Sequence, residues 1–482
     1  MSNEIKNLEP KIFWEIFDAI TQVPRPSKKE GKIREWLVNF AKEHNLACKV
    51  DETGNVLVSC PATPGREDRE TLVMQAHMDM VCEKNSDVEH DFENDPLDTY
   101  IDGDWVKAHG TTLGADDGAG MALSLAAMLD KSYEHGPLEF LCTYDEETGM
   151  TGANLLNEGF MNGKLLLNLD SDLENQIFIG CAGGMDTVAT WKFAAIPAPK
   201  DLFYAKIHVS GLLGGHSGGD IHLGRANANK ILARFLTTQN DIQVADINGG
   251  NLRNAIAREA FAIIGIPMSQ KDQLVAKLNQ FAAMVENEVA GVEPSFKMTI
   301  ESADAPTSII EPGVVDSLLN ALIACPHGVI GMSHSMPGLV ETSTNLASVK
   351  VNMEKGEIRV ETSQRSSVES QKRMIAQMVK TVFDLSDAEV TQGTGYPGWA
   401  PNPNSRMVKV TEAAYRKVFG TEPETTAIHA GLETGLFLTK YPWLDMVSVG
   451  PTMMAIHSPE ERLSISSVAK FWPYVKEIIT SI

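Results

Sequence analysis

Cysteine is scarce in this sequence: six residues in 482, at Cys48, Cys60, Cys82, Cys142, Cys181 and Cys325, with no Cys-x-x-Cys pair. That excludes a disulfide framework and a thiolate zinc site, and it leaves reduced, mostly buried thiols. Long apolar runs are also missing, and no stretch approaches the roughly 20 residues that span a bilayer. Basic charge is short, 41 Lys and Arg against 64 Asp and Glu, for a formal charge of −23 at pH 7. Nucleic acid and anionic membranes attract basic surfaces, so neither is an expected partner. The first twenty residues carry acids in an amphipathic pattern, without the basic start and apolar core of a signal peptide. Cytoplasm is the expected location. A soluble enzyme or a cation-binding protein remains open.

What is present is ordinary globular material, 43% hydrophobic and 22% charged, in a chain long enough for roughly two to four domains. Two amphipathic helices are expected first, one near residues 9–22 and one through SKKEGKIREWLVNFAKEHNL with Ser27 as N-cap. ACKVDETGNVLVSC alternates around a Thr-Gly-Asn turn and reads as a hairpin. TLVMQAHMDM, LEFLCTYDEETG and KLLLNLD read as apolar strands ending in acids or histidine, and GADDGAGMALSLAAMLD as a Gly-rich loop entering a helix. Such strands alternating with helices indicate an α/β fold with a mainly parallel central sheet. Ligands bind at the carboxyl ends of those strands, where these polar residues collect. From about residue 187 the pattern changes to α+β, and GYPGWAPNPNS at 395–405 reads as a boundary. The expected organisation is a discontinuous domain, 1–186 and 395–482, interrupted by an inserted domain over 187–394.

His77 and Asp79 form an H-x-D pair on one face of a strand, because strand side chains alternate. A metal-bound His commonly gives its other ring N–H to such a neighbour; a buried His hydrogen-bonded at a sheet end is the competing reading. Asp116 and Asp117 lie among Gly114, Gly118 and Gly120. Two carboxylates would repel a phosphate, and the glycines miss the G-x-G-x-x-G spacing of a dinucleotide loop. Asp117 suits a helix N-cap, which leaves Asp116 for a site. Glu146 and Glu147 end a strand, where a cation would take one and leave the other as a base; a solvated acidic loop competes. Asp170 and His457 carry the same ambiguity singly. Together, two His and three carboxylates make an oxygen–nitrogen set suited to zinc, manganese or cobalt. A shared Asp116 would hold two ions at the roughly 3.5–4 Å of two-metal hydrolases. The acidic run at 87–104 has Pro96 where a calcium loop needs Gly, and reads as solvated surface.

In this order, AHMDMV, TLGADDGAG, DEETGM, LNLDSD and AIHSPEE resemble the motifs of the two-zinc exopeptidases, the family of carnosinases, tripeptidases and acylases. GGHSGGDIH, NLRNAIARE and HAGLETG are most similar to its bacterial Xaa-His dipeptidase branch, and the resemblance covers essentially the whole chain. It implies that His77, Asp116 and Asp170 hold one zinc ion and Asp116, Glu147 and His457 the other. The implied cofactor is two Zn2+ per chain, with Co2+ or Mn2+ as substitutes. Asp79 would orient His77, and Glu146 would be the general base. The inserted segment corresponds to the family's lid, with His216 as the residue that steadies the tetrahedral intermediate. Asn254 and Arg365 correspond to residues that bind the substrate carboxylate, which a guanidinium can pair bidentately; a surface salt bridge is the other reading of Arg365. Gly431 and Glu433 fall near the substrate, although Glu433 stands where many relatives carry Asp, with His429 or His222 as alternatives.

The activity this implies is hydrolysis of unblocked dipeptides with a carboxyl-terminal His preferred, β-alanyl-histidine included. The same chemistry on a tripeptide or an N-acyl amino acid is the nearest rival. A non-catalytic, metal-dependent peptide-binding module is the rival of another class; Glu146 beside Glu147 argues against it, since a pure binder needs no uncoordinated base. The expected partner is a small peptide. A homodimer is implied only in part, because this lid is long enough to supply its His within one chain.

Overall fold

The computed structural model describes residues 5–240 and 242–482. The chain divides into two compact units. One comprises the described residues up to Cys181, Trp399–Ala427 and Leu432–Ile482; the other comprises Ala182–Gly398 and the short return Ile428–Gly431.

The first unit is built on an eight-stranded sheet in the order Ala47–Val50, Val56–Cys60, Leu138–Thr143, Leu72–His77, Leu165–Asn168, Asp445–Ser448, Gln176–Cys181, Glu424–Ile428. Leu138–Thr143, Leu72–His77, Leu165–Asn168 and Asp445–Ser448 run parallel. The hairpin strands beside them are antiparallel. Every residue of Leu72–His77 and Leu138–Thr143 is buried, as strands covered on both faces must be. The chain is thus an α/β protein with a mainly parallel centre, as expected. Helix Lys11–Thr21 buries Phe13, Trp14, Ile16, Phe17 and Ile20 along one stripe and packs on helix Ala115–Leu129. The next helix starts at Gly31, past the expected cap at Ser27. Ser27 instead donates its hydroxyl to Asp79 Oδ2 at 2.8 Å, which draws the chain toward the strand ends before the helix begins.

Among the described residues, the second unit holds a nine-stranded antiparallel sheet. Its path runs Lys297–Ser302, Leu202–Ser210, Ala260–Pro267, Gln243–Gly249, Val340–Asn352, Glu357–Ser366, Gly183–Lys192, Glu389–Gln392, with Gly328–Met332 pairing beside Val340–Asn352. Trp191, Ile207, Phe235, Ile264, Leu318, Leu346, Val360 and Phe383 join its sheet and helices in one core. Asn227 caps helix Ala228–Leu236, accepting the N–H groups of Asn229 and Lys230. No described helix is long and apolar enough to cross a membrane.

The return Ile428–Gly431 carries His429, 7% exposed, with Nε2 2.7 Å from Ser343 Oγ. Burial, reinforced by the Arg365 charge, pushes this imidazole down to about 3. A depressed pKa means that the folded protein keeps the ring neutral while the unfolded chain takes up a proton below about 6.5. Stability from His429 is therefore present at pH 7 and lost as pH falls toward 3. Between pH 7 and pH 5 the wild type should lose about 2 kcal/mol relative to His429→Gln. Urea unfolding of the two proteins at both pH values checks this; a constant difference would contradict it.

Candidate active site

The carboxyl end of strand Leu72–His77 delivers the first ligand candidate. His77 is 1% exposed, with Nε2 2.9 Å from Asp116 Oδ1 and 3.5 Å from Asp170 Oδ1. Asp116 turns its other oxygen to His457, whose Nε2 lies 3.2 Å from Oδ2 and 3.1 Å from Glu147 Oε2. One carboxylate therefore meets an imidazole on each side. His77, Asp116 and Asp170 form one group of converging donor atoms, Asp116, Glu147 and His457 a second, and Glu146 joins His77 and Glu147 in a third.

Behind this layer, Asp79 is fully buried, with Oδ1 3.4 Å from His77 Nδ1. Its two oxygens also accept the backbone N–H groups of Glu146 at 3.0 Å and Glu147 at 3.2 Å. Burial raises the Asp79 pKa, but His77, the Glu146 N–H and the Ser27 hydroxyl win and bring it down to about 2. The opposite balance holds among the crowded acids. Burial, with Asp116 adding to it, pushes Asp170 up to about 7 despite the opposing pull of His77. Burial raises Glu146 well above the usual carboxylate range, and the neighbouring Asp170, Glu433 and Glu147 add to it. Hydrogen bonds to Asp116 and Glu147 lift His457 to about 10. Glu147 Oε1 is buried without a hydrogen-bond partner. Crowded, desolvated carboxylates with an orphaned oxygen, facing two imidazoles, fit divalent cations held by N and O donors.

The Asp116 loop is held from both sides. Gly114 adopts a left-handed φ of 64° and begins the turn. Arg25, 1% exposed, donates to the carbonyls of Met78 at 3.2 Å, Asp79 at 2.7 Å and Gly114. Glu461 accepts the backbone N–H groups of the same loop. The Asp116–Asp117 peptide is cis. Asp117 accepts the Gly120 N–H at 2.9 Å, as an N-cap does, and the His77 N–H at 3.3 Å. Arg25, Glu30 and Glu461 escape a sequence reading. Glu30 is buried and accepts the Asp145 N–H at 3.0 Å, and burial, with Asp79 adding to it, raises its pKa to about 7 despite its backbone hydrogen bonds. Glu461 lies inside the HSPEE run, so its closeness to His457 was the available signal; nothing around Arg25 marks it for burial.

The remaining candidates divide between the units. Glu433, 2% exposed, belongs to the first; its Oε2 accepts Gln75 Nε2 at 2.8 Å and Thr143 Oγ1 at 2.7 Å. In the second unit, His216 Nδ1 accepts the N–H groups of Gly218 at 3.2 Å and Gly219 at 3.0 Å. An Nδ1 that accepts leaves the ring proton on Nε2. Burial, then the Arg365 charge, lowers the His216 pKa and favours this neutral form. Arg365 and Asn254 line a cavity of about 560 Å³ that also holds the Arg253–Asp186 ion pair. Arg365 Nη1 donates to the Tyr396 hydroxyl at 3.0 Å, and a Cβ on Gly431 would stand 2.8 Å from the Tyr396 ring. His222 is exposed on the turn Ile221–Leu223.

This strand-end cluster of His and carboxylates is the kind found in metal-dependent hydrolases. Residues 73–481 match the model of peptidase family M20/M25/M40, and the chain belongs to that family. It is 41% identical over 485 residues to the cytosol non-specific dipeptidase of Escherichia coli (strain K12), covering 100% of this chain and 99% of that protein. The solved aminoacylhistidine dipeptidase of Vibrio alginolyticus is similar with a TM-score of 0.95 and 40% identity, covering 100% of this chain and 98% of that one. A tripeptidase of Staphylococcus aureus shares the fold at a TM-score of 0.57 and 17% identity, covering 98% of each chain.

Cations that bind only the folded protein stabilise it by about 2.7 kcal/mol per site at a hundredfold excess over Kd. Zn2+ should therefore raise the melting temperature, and Asp116→Asn should remove most of that rise by weakening both groups. An undiminished rise in the variant, followed by differential scanning fluorimetry, would contradict the sharing.

Proposed function

We propose that the chain is a metallodipeptidase that hydrolyses unblocked dipeptides, Xaa-His substrates such as β-alanyl-histidine preferred. The observation that carries this reading is Asp116 with an imidazole on each oxygen, in a chain of this peptidase family. His77, Asp116 and Asp170 would hold one Zn2+, and Asp116, Glu147 and His457 a second, with Co2+ or Mn2+ as substitutes. When bound, such ions polarise a scissile carbonyl and acidify water.

The protein's own groups divide the remaining work. Glu146, raised by burial and spared from both ligand groups, takes a proton from the attacking water and returns it to the leaving amine. Asp79 holds His77 from behind through Nδ1, so that Nε2 faces Asp116 and Asp170. It also ties down the backbone of the base and its neighbour. The second unit serves as the lid. His216 offers an Nε2 proton to the developing oxyanion, because Nδ1 is occupied as an acceptor. Arg365 and Asn254 bind the substrate carboxylate. Gly431 leaves room for Tyr396, which braces Arg365. Glu433 acts from beneath the strand ends through Gln75 and Thr143.

The dipeptidases of Escherichia coli and Vibrio alginolyticus support the dipeptide length, although their names differ in breadth. A cytoplasmic location, consistent with six free cysteines, belongs to the same proposal.

Glu146→Gln should lower kcat by about 10²–10⁴-fold while two metal ions remain bound by elemental analysis. Activity close to wild type would remove Glu146 as the base. Wild-type protein assayed on β-alanyl-histidine, an unblocked dipeptide lacking His, a tripeptide and an N-acyl amino acid should cleave the dipeptides and lose activity with chelator. Preference for either of the last two would overturn the dipeptide assignment.

A further inference from the structure

We propose that Glu461 is a positioning residue that holds Asp116 and His457 at their common spacing, so that the ion of the Asp116–Glu147–His457 group depends on it more than the other ion does. This rests on the reading of those residues as metal ligands. Glu461 is 2% exposed, and its carboxylate accepts four consecutive backbone N–H groups. Oε2 takes Leu113 at 2.8 Å and Gly114 at 3.0 Å; Oε1 takes Ala115 at 2.8 Å and Asp116 at 3.3 Å. Four donors match the acceptor capacity of one carboxylate. The last donor is the amide of Asp116 itself, so the clamp ends on the residue that faces both imidazoles.

Four positions earlier in the chain, His457 lies in the loop that joins the paired strands Met453–Met454 and Arg462–Ser464. Its side chain is 48% exposed and its φ is 63°. The segment that carries it is short and bonded to itself: the Ser458 hydroxyl donates to the Ala455 carbonyl at 2.7 Å, and the Glu461 N–H donates to the Ser458 carbonyl at 3.0 Å. Anchoring Glu461 on residues 113–116 therefore anchors His457 against Asp116. The first group has separate supports. His77 lies buried on its strand with Asp79 behind it, and Asp170 lies two residues past the end of strand Leu165–Asn168. Arg25, which binds the Gly114 carbonyl, interacts electrostatically with Glu461 from within the same loop packing.

Two variants separate positioning from folding. Glu461→Gln keeps the shape but turns an amide N–H₂ toward two N–H donors. Glu461→Asp keeps the charge beside Arg25 but is one methylene too short to reach all four. Zn2+ binding by wild type and both variants, measured by chelator competition, should show one ion near wild-type affinity and the other weakened about 10–100-fold. Dipeptide hydrolysis should return to near the wild-type kcat at saturating Zn2+, because Glu461 touches no substrate. If Glu461→Gln fails to fold, Glu461→Asp decides. Unchanged affinities for both ions, or equal weakening of both in a folded variant, would overturn the proposal. Fewer than two ions on wild type would overturn the ligand assignment itself, and this inference with it.

Discussion

Asp116 presents one carboxylate oxygen to His77 at 2.9 Å and the other to His457 at 3.2 Å, and the candidate site in the first unit is arranged around that contact. The two histidines come from opposite ends of the chain and from different local structures, one a buried strand and the other an exposed loop. A single short side chain faces both, and its backbone is fixed from several sides. The left-handed Gly114, the Arg25 guanidinium on the carbonyls and the Glu461 carboxylate on the N–H groups together supply that fixation.

Gathering acids at the ends of buried strands has an electrostatic cost, visible where Asp170 rises to about 7 and Glu433 to about 8, both chiefly through burial. The protein distributes this cost unevenly. Asp79 stays ionised through His77, two backbone N–H donors and Ser27. Asn168, Gln75, Glu433 and Thr143 form a connected hydrogen-bonded layer beneath. Asp79, brought down to about 2, sits behind the imidazole, whereas burial holds Glu146 well above the usual carboxylate range. Two carboxyl groups 67 positions apart, joined through the Glu146 N–H, thus acquire opposite pKa shifts from their surroundings.

The parallel centre of the sheet was legible because continuous apolar runs such as LVMQAH and LEFLCT admit few other readings, and each ends in a polar residue. The hairpin at residues 47–60 was legible from alternation around its turn. The order of the strand-end motifs singled out His77, Asp116, Glu147, Asp170 and His457, which the fold then brings together. What escaped depends on partners far away in the chain. Glu461 finds its amides 348 positions back, Arg25 its Gly114 carbonyl 89 positions on, and Ser27 abandons a helix cap for Asp79, 52 positions on. No local pattern encodes such bonds, and the return of Ile428–Gly431 to the second unit carries no boundary signal either.

The proposed site centres on one carboxylate, that of Asp116, serving two ions. Electron paramagnetic resonance of protein loaded with two Mn2+ per chain tests that most directly, since ions joined by a shared ligand couple magnetically. Two ions that share Asp116 should give an exchange-coupled spectrum that reverts to that of an isolated ion in Asp116→Asn. A wild-type spectrum of two independent Mn2+ ions at full loading would contradict the sharing.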